Sequence, residues 1–115
     1  MRKERMNNYM SNIKALKTAD FKKEVLEQSN LSVIDFWATW CGPCQMLSPI
    51  VDEVSKEFED VNFYKVNVDE EPELTMQFGI KSIPTLAFIK DGKTLDISIG
   101  LISKDELVDF VKRNK

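Results

Sequence analysis

Histidine is absent from this 115-residue chain, cysteine occurs only twice, and glycine and proline occur four times each. With no histidine and no third cysteine, a mononuclear zinc site would need a carboxylate pair or a second chain to complete its usual four ligands, so no metal is expected. Two cysteines are too few for the disulfide framework of a secreted miniprotein. No stretch approaches the ~20 apolar residues that span a bilayer. The opening residues, from Met1 to Met10, carry Arg2, Lys3 and Arg5 beside Glu4 and lack the apolar segment of a secretory signal, so the expected location is the cytoplasm. Basic excess is missing too: 16 Lys and Arg against 19 Asp and Glu leave a net charge of −3. That balance argues against partners gripped through phosphates, so neither nucleic acid nor a membrane surface is expected. Proteins or small molecules are the remaining partners.

What is present is an ordinary globular composition, 43% hydrophobic and 30% charged, sufficient for one core. Residues 1–11 are polar without an apolar period and read as a flexible extension, and residues 12–115 as one domain. Ile13 to Leu16 is a short strand candidate, and Thr18 is placed to cap a helix with Phe21, Val25 and Leu26 on its apolar side. Val33 to Ala38 is a nearly continuous apolar run, the pattern of a strand covered on both faces of a parallel sheet. Beyond it, Met46, Leu47, Ile50, Val51, Val54 and Phe58 recur at helical spacing, with Pro43 in the first turn and Pro49 set to bend the interior. Val61 to Val68 reads as a strand, Pro72 to Phe78 as a short helix closed by Gly79, and Thr85 to Ile89 as a strand. Asp91-Gly92 predicts a hairpin returning through Thr94 to Ile99. Ser103 and Glu106 form a capping box for a last helix, with Leu107, Val108, Phe110 and Val111 facing inward. The alternation predicts an α/β fold with parallel βαβ units, an antiparallel hairpin at one side and helices on both faces. Sites in such sheets form beyond the carboxyl ends of strands, where Cys41 falls.

Cys41 and Cys44, at i and i+3 in the first turn of a helix, lie on one face within disulfide reach, and the peptide dipoles there favour an anion. Cys41, the outer of the two, is expected to be a thiolate with a depressed pKa that attacks a disulfide, and Cys44 the thiol that resolves the product. A bare Cys-x-x-Cys also serves as a metal half-site or occurs incidentally, and spacing alone leaves these open.

The segment Val33-Ile34-Asp35-Phe36-Trp37-Ala38-Thr39-Trp40-Cys41-Gly42-Pro43-Cys44 resembles the active-site segment of the thioredoxin family. Ile80-Lys81-Ser82-Ile83-Pro84-Thr85, Lys90-Asp91-Gly92-Lys93 and Gly100 resemble that family's later motifs, in order and spacing. The resemblance implies the thioredoxin fold, a central mixed sheet of about five strands flanked by about four helices. It also implies reduction of disulfides in target proteins, recharging by a thioredoxin reductase, no cofactor and a monomer.

Further roles follow from the same likeness. An acid at position 35 in an apolar strand is by itself more often turned to solvent at a sheet edge; the resemblance makes Asp35 a buried acid that assists proton transfer at Cys44. Lys65 by itself is a strand-edge charge, and by resemblance a modulator of Asp35. Sequence physics predicts a trans Ile83-Pro84 bond, whereas the resemblance implies a cis one facing the cysteines. Trp40, Gly42, Pro43, Ile83, Pro84 and Gly100 would line a shallow recognition surface; a glycine such as Gly100 is otherwise backbone punctuation, and Trp37 is assigned to packing. Two positions depart from the family. Gln45 stands where many relatives carry a cation, and Ser82 replaces a small glycine.

The competing reading is a binding subunit of a larger assembly in which redox turnover is incidental. A third keeps the chemistry but runs it toward oxidation or isomerisation.

Overall fold

The computed structural model describes residues 13–115. The expected extension at residues 1–11 lies outside them. Strands β1 (Lys14–Ala15), β2 (Ser32–Trp37), β3 (Asn62–Asn67), β4 (Thr85–Lys90) and β5 (Lys93–Ile99) form one sheet in the order β1-β3-β2-β4-β5. β1, β3 and β2 run parallel, while β4 is antiparallel to β2 and β5 antiparallel to β4. The hairpin between β4 and β5 turns on Asp91 and Gly92 with φ of 53° and 76°, the two positive values its tight turn demands. β2 is therefore the central strand, and its carboxyl end opens onto the loop bearing Cys41.

Helices cover both faces. Below one face lie α1 (Gly42–Ser55) and α3 (Lys104–Asn114), whose Leu47, Val51, Val54, Leu107 and Val111 pack on Val33, Phe63, Leu86 and Phe88. The other face carries Leu16, Phe21, Val25 and Leu74 of α2 (Pro72–Gln77), against Ile34, Phe36, Tyr64, Val66, Ala87 and Ile89. Phe78 joins this second core through edge contact with Phe21 at 5.4 Å and a tilted contact with Phe36 at 5.2 Å. Alternation along β2 thus sends Ile34 and Phe36 to one face and Val33 with Asp35 to the other, beneath α1.

Several local expectations need correction. Thr18 caps no helix: its amide and hydroxyl both donate to the Glu71 carboxylate at 2.9 Å. The segment beyond it forms a 3₁₀ turn, Thr18–Asp20, that passes into a π-helical turn, Lys22–Leu26. A long-range carboxylate acceptor has displaced the local cap. The apolar stripe of α1 is Cys44, Leu47, Val51 and Val54, spaced by three and four, so Met46 falls off it and is 61% exposed. Helix α1 ends at Ser55, before Phe58, which packs on the core from the following loop. Phe110 is half-buried and stacks on Phe88 at 5.2 Å. The capping box at Ser103 and Glu106 is formed in both directions.

Candidate active site

Three residues carry the chain from β2 to α1, and Cys41 is the residue that begins the helix. Its extended backbone (φ −96°, ψ 110°) places Sγ where it accepts the Cys44 amide hydrogen at 3.2 Å. Pro43 fits the first turn because no partner for an amide hydrogen is needed there. Cys41 and Cys44 are joined as a disulfide with Cα atoms 5.2 Å apart, so the protein is in its oxidised form. Both sulfur residues are buried, 5% and 2% exposed, and position distinguishes them more than exposure. Cys41 stands at the helix mouth, whereas Cys44 lies one turn in, over the sheet.

Around Cys41 the surface is uneven. Gly42 and Pro43 are exposed, and Trp40 is 69% exposed with its indole Nε1 donating to Asp69 Oδ2 at 2.8 Å. Asp69 is held in turn, its own amide donating to Asn67 Oδ1 at 2.9 Å. The Ile83 carbonyl oxygen lies 3.9 Å from Cys41 Sγ. The Ile83–Pro84 peptide bond is cis. Gly100, in the left-handed region at φ 94°, donates its amide to the Pro84 carbonyl at 2.8 Å, which ties the end of β5 to the proline loop. Of the six residues expected on a recognition surface, Trp40, Gly42 and Pro43 are exposed and Ile83 and Gly100 half-buried, but Pro84 is buried. The proline shapes this loop from within.

Asp35 sits beneath Cys44. Its neighbours in register are Lys65 on β3 and Leu86 on β4, so it belongs to the centre of the sheet, which removes the edge-strand reading. It is 5% exposed, and its Oδ1 has no hydrogen-bond partner among the described residues. Burial raises its pKa from 3.8 to about 7, and the nearby Lys65 charge only partly opposes this. Asp35, Trp37, Cys44, Gln45, Ser48 and Lys65 line a cavity of about 110 Å³. Lys65 is half-buried, with its ammonium 5.9 Å from the centre of the half-buried Trp37 ring. Gln45 Nε2 donates to the Thr39 carbonyl at 2.8 Å, so this neutral side chain braces the loop before Cys41. Ser82 is exposed, and its carbonyl accepts the Thr85 hydroxyl at 2.7 Å. Among the described residues, no cluster of three or more His, Cys, Asp or Glu side chains could hold a metal, and no helix is long and apolar enough to cross a membrane.

The thioredoxin family model matches residues 12–113. This chain belongs to the thioredoxin family. It is a thioredoxin-type disulfide reductase. A thioredoxin of Rickettsia felis is 47% identical over 97 residues, covering 84% of this chain and 92% of the relative. Thioredoxin 1 of Synechococcus elongatus is 45% identical over 106 residues, covering 91% and 99%. The solved structure of Malassezia sympodialis thioredoxin (Mala s 13) superimposes with a TM-score of 0.82 at 34% identity, covering 90% of this chain and 91% of that one.

Two contributors escaped the sequence reading. Asp69 anchors Trp40 from the loop after β3; because β3 runs parallel to β2, both strands release their chains at the same end of the sheet, and that pairing was the available signal. Ser48 lines the Asp35 cavity because it lies four residues after Cys44 on the same helical face.

Proposed function

We propose that the chain reduces disulfides in target proteins through a mixed disulfide. Cys41, as thiolate, attacks one sulfur of the target, and the target's other sulfur leaves as a thiolate that takes up a proton. Asp35 accepts the Cys44 proton, and Cys44 attacks the Cys41 sulfur, expelling the second target thiolate. Two electrons have then passed to the target, and the chain is left with the Cys41–Cys44 disulfide. A thioredoxin reductase returns it to the dithiol. Targets dock across Trp40, Gly42, Pro43, Ile83 and Gly100, with the cis Pro84 holding that loop, and Lys65 modulates Asp35. Residues 12–115 are the working domain, residues 1–11 an extension, and the protein acts as a cytoplasmic monomer without a cofactor.

The observation that carries this reading is the shared position of Asp35 and Cys44, the disulfide partner of Cys41, on one small cavity. The Cys44 amide that points at Cys41 Sγ, together with the start of a 14-residue helix, favours negative charge on that sulfur in the reduced protein. A group with a pKa of about 7 is suited to accept and return a proton near neutral pH. A partnerless buried acid gives a purely structural subunit nothing, which weighs against the binding-module reading.

Insulin-disulfide reduction by the wild-type chain and by Cys41→Ser tests the proposal. Turnover is expected from wild type and none from the variant; an inert wild type favours the binding subunit. The reduction potential of the pair separates directions, since a value near about −120 mV belongs to an oxidant.

A further inference from the structure

We propose that Ser48 is a positioning residue of this site, whose hydroxyl orders the water through which the Asp35 carboxyl exchanges its proton with solvent. The inference rests on Asp35 acting as the proton acceptor for Cys44.

Asp35 and Cys44 are both buried, Trp37 and Lys65 half-buried, and Ser48 and Gln45 are the exposed members of the cavity they share. Gln45 has its Nε2 held by the Thr39 carbonyl, which fixes the side chain on the loop before Cys41. Ser48 brings a hydroxyl that donates to one neighbour while accepting from another, which a relay of water requires. About 110 Å³ is room for more than one water. Inside, Asp35 Oδ1 lacks any partner among the described residues and is the natural acceptor for the innermost one.

The other groups around Asp35 do not substitute for this hydroxyl. Lys65 approaches from β3 with a donor-only ammonium, Cys44 from α1 is the proton's source, and Leu86 on β4 is apolar. The proton path balances without electron movement. The Cys44 thiol gives its proton to the Asp35 carboxylate; once Cys44 Sγ has bonded to Cys41 Sγ, the Asp35 acid passes that proton to the water held by Ser48, and from there it reaches bulk solvent.

Carboxyl ¹³C NMR titration of Asp35 in the reduced protein, together with the pH profile of insulin reduction, tests this in wild type, Ser48→Ala, Ser48→Thr and Asp35→Asn. A lost hydrogen bond to the ionised carboxylate raises the Asp35 midpoint, by about half a pH unit for a water-mediated one. With that midpoint near 7, Ser48→Ala is expected to lower turnover at pH 7 about two-fold, and Ser48→Thr to restore both readings. Position 48 is exposed on a helix, where alanine is well tolerated, so a folding defect does not confound the comparison. An unmoved midpoint in Ser48→Ala, or Ser48→Thr matching Ser48→Ala, overturns the role of Ser48. If Asp35→Asn keeps the wild-type pH profile, the Asp35 reading itself fails; an altered Asp35→Asn profile beside an unaltered Ser48→Ala profile rejects Ser48 alone.

Discussion

Asp35 and Tyr64 sit on adjacent strands, one step apart in register and on opposite faces of the sheet, and burial disfavours the charged form of each. The consequences differ. Tyr64 is neutral at physiological pH in any case, its pKa pushed up by burial and by the Glu24 charge against the opposing pull of Lys14. Its phenol donates to the Glu24 carbonyl at 3.1 Å, so the second core contains a polar atom that is both satisfied and uncharged. Asp35 ordinarily ionises near 3.8, has no partner for Oδ1 among the described residues, and is carried by burial to about 7. The face with the unfavourable group is the face that covers Cys44. Burial has been made costly for a charge on the side of β2 that faces Cys44; on the other side the buried Ser32 hydroxyl also lacks a partner among the described residues, but it carries no charge.

Replacing the acid should produce the largest effect. Because the folded pKa of Asp35 lies above the unfolded one, the native state retains a proton that the unfolded chain releases between pH 4 and 7. Its contribution to stability is complete below about pH 4 and is lost as pH rises to about 7; the difference between 3.8 and about 7 corresponds to about 4 kcal/mol. Urea unfolding of oxidised Asp35→Leu is expected to show no such decline and to exceed wild type by several kcal/mol at pH 8, while disulfide reduction at pH 7 falls. A variant that declines with pH as steeply as wild type would mean that another group is responsible.

Next in size is Lys65→Met. Lys65 is the group that draws the Asp35 pKa back down, so without it the midpoint of the stability decline should move above 7, by up to about 1 pH unit. That corresponds to about 1.4 kcal/mol of lost stability at alkaline pH in the variant. The same series of unfolding curves checks it, and a midpoint that stays put or falls removes Lys65 from the site.

Much of this arrangement was legible before any coordinates. The buried run through β2, the capping box at Ser103 and the Asp91-Gly92 turn are local signals whose chemistry admits few alternatives, and each appears where its residues stand. The face of Asp35 followed from alternation once β2 was central, but its centrality depends on hydrogen bonds to β3 and β4, which no stretch of sequence records. Thr18 illustrates the opposite limit: a sound local cap gave way to Glu71, 53 residues along the chain. Ser48 and Asp69 were signalled only indirectly, by the helical spacing from Cys44 and by the parallel pairing of β2 and β3, since their importance lies in what stands across a cavity or a loop. Pro84 was legible in kind but not in placement, because a residue that shapes a surface loop can itself be covered.

The smallest effect sharpens the contrast from the other side. Tyr64→Phe removes the phenol hydroxyl, leaves the ring in its core, and deprives the Glu24 carbonyl of one donor. The bond is only part-buried, so water can take the place of the lost donor and the loss should be about 1 kcal/mol or less. Neither state of Tyr64 titrates between pH 5 and 8, so the deficit should be constant across that range and turnover unchanged. Parallel unfolding curves for Tyr64→Phe and wild type at pH 5 and 8, with insulin reduction assayed alongside, measure both. A deficit that varies with pH, or a drop in turnover, would show that the two faces of the sheet are coupled and that the proton chemistry is not confined to the side beneath α1.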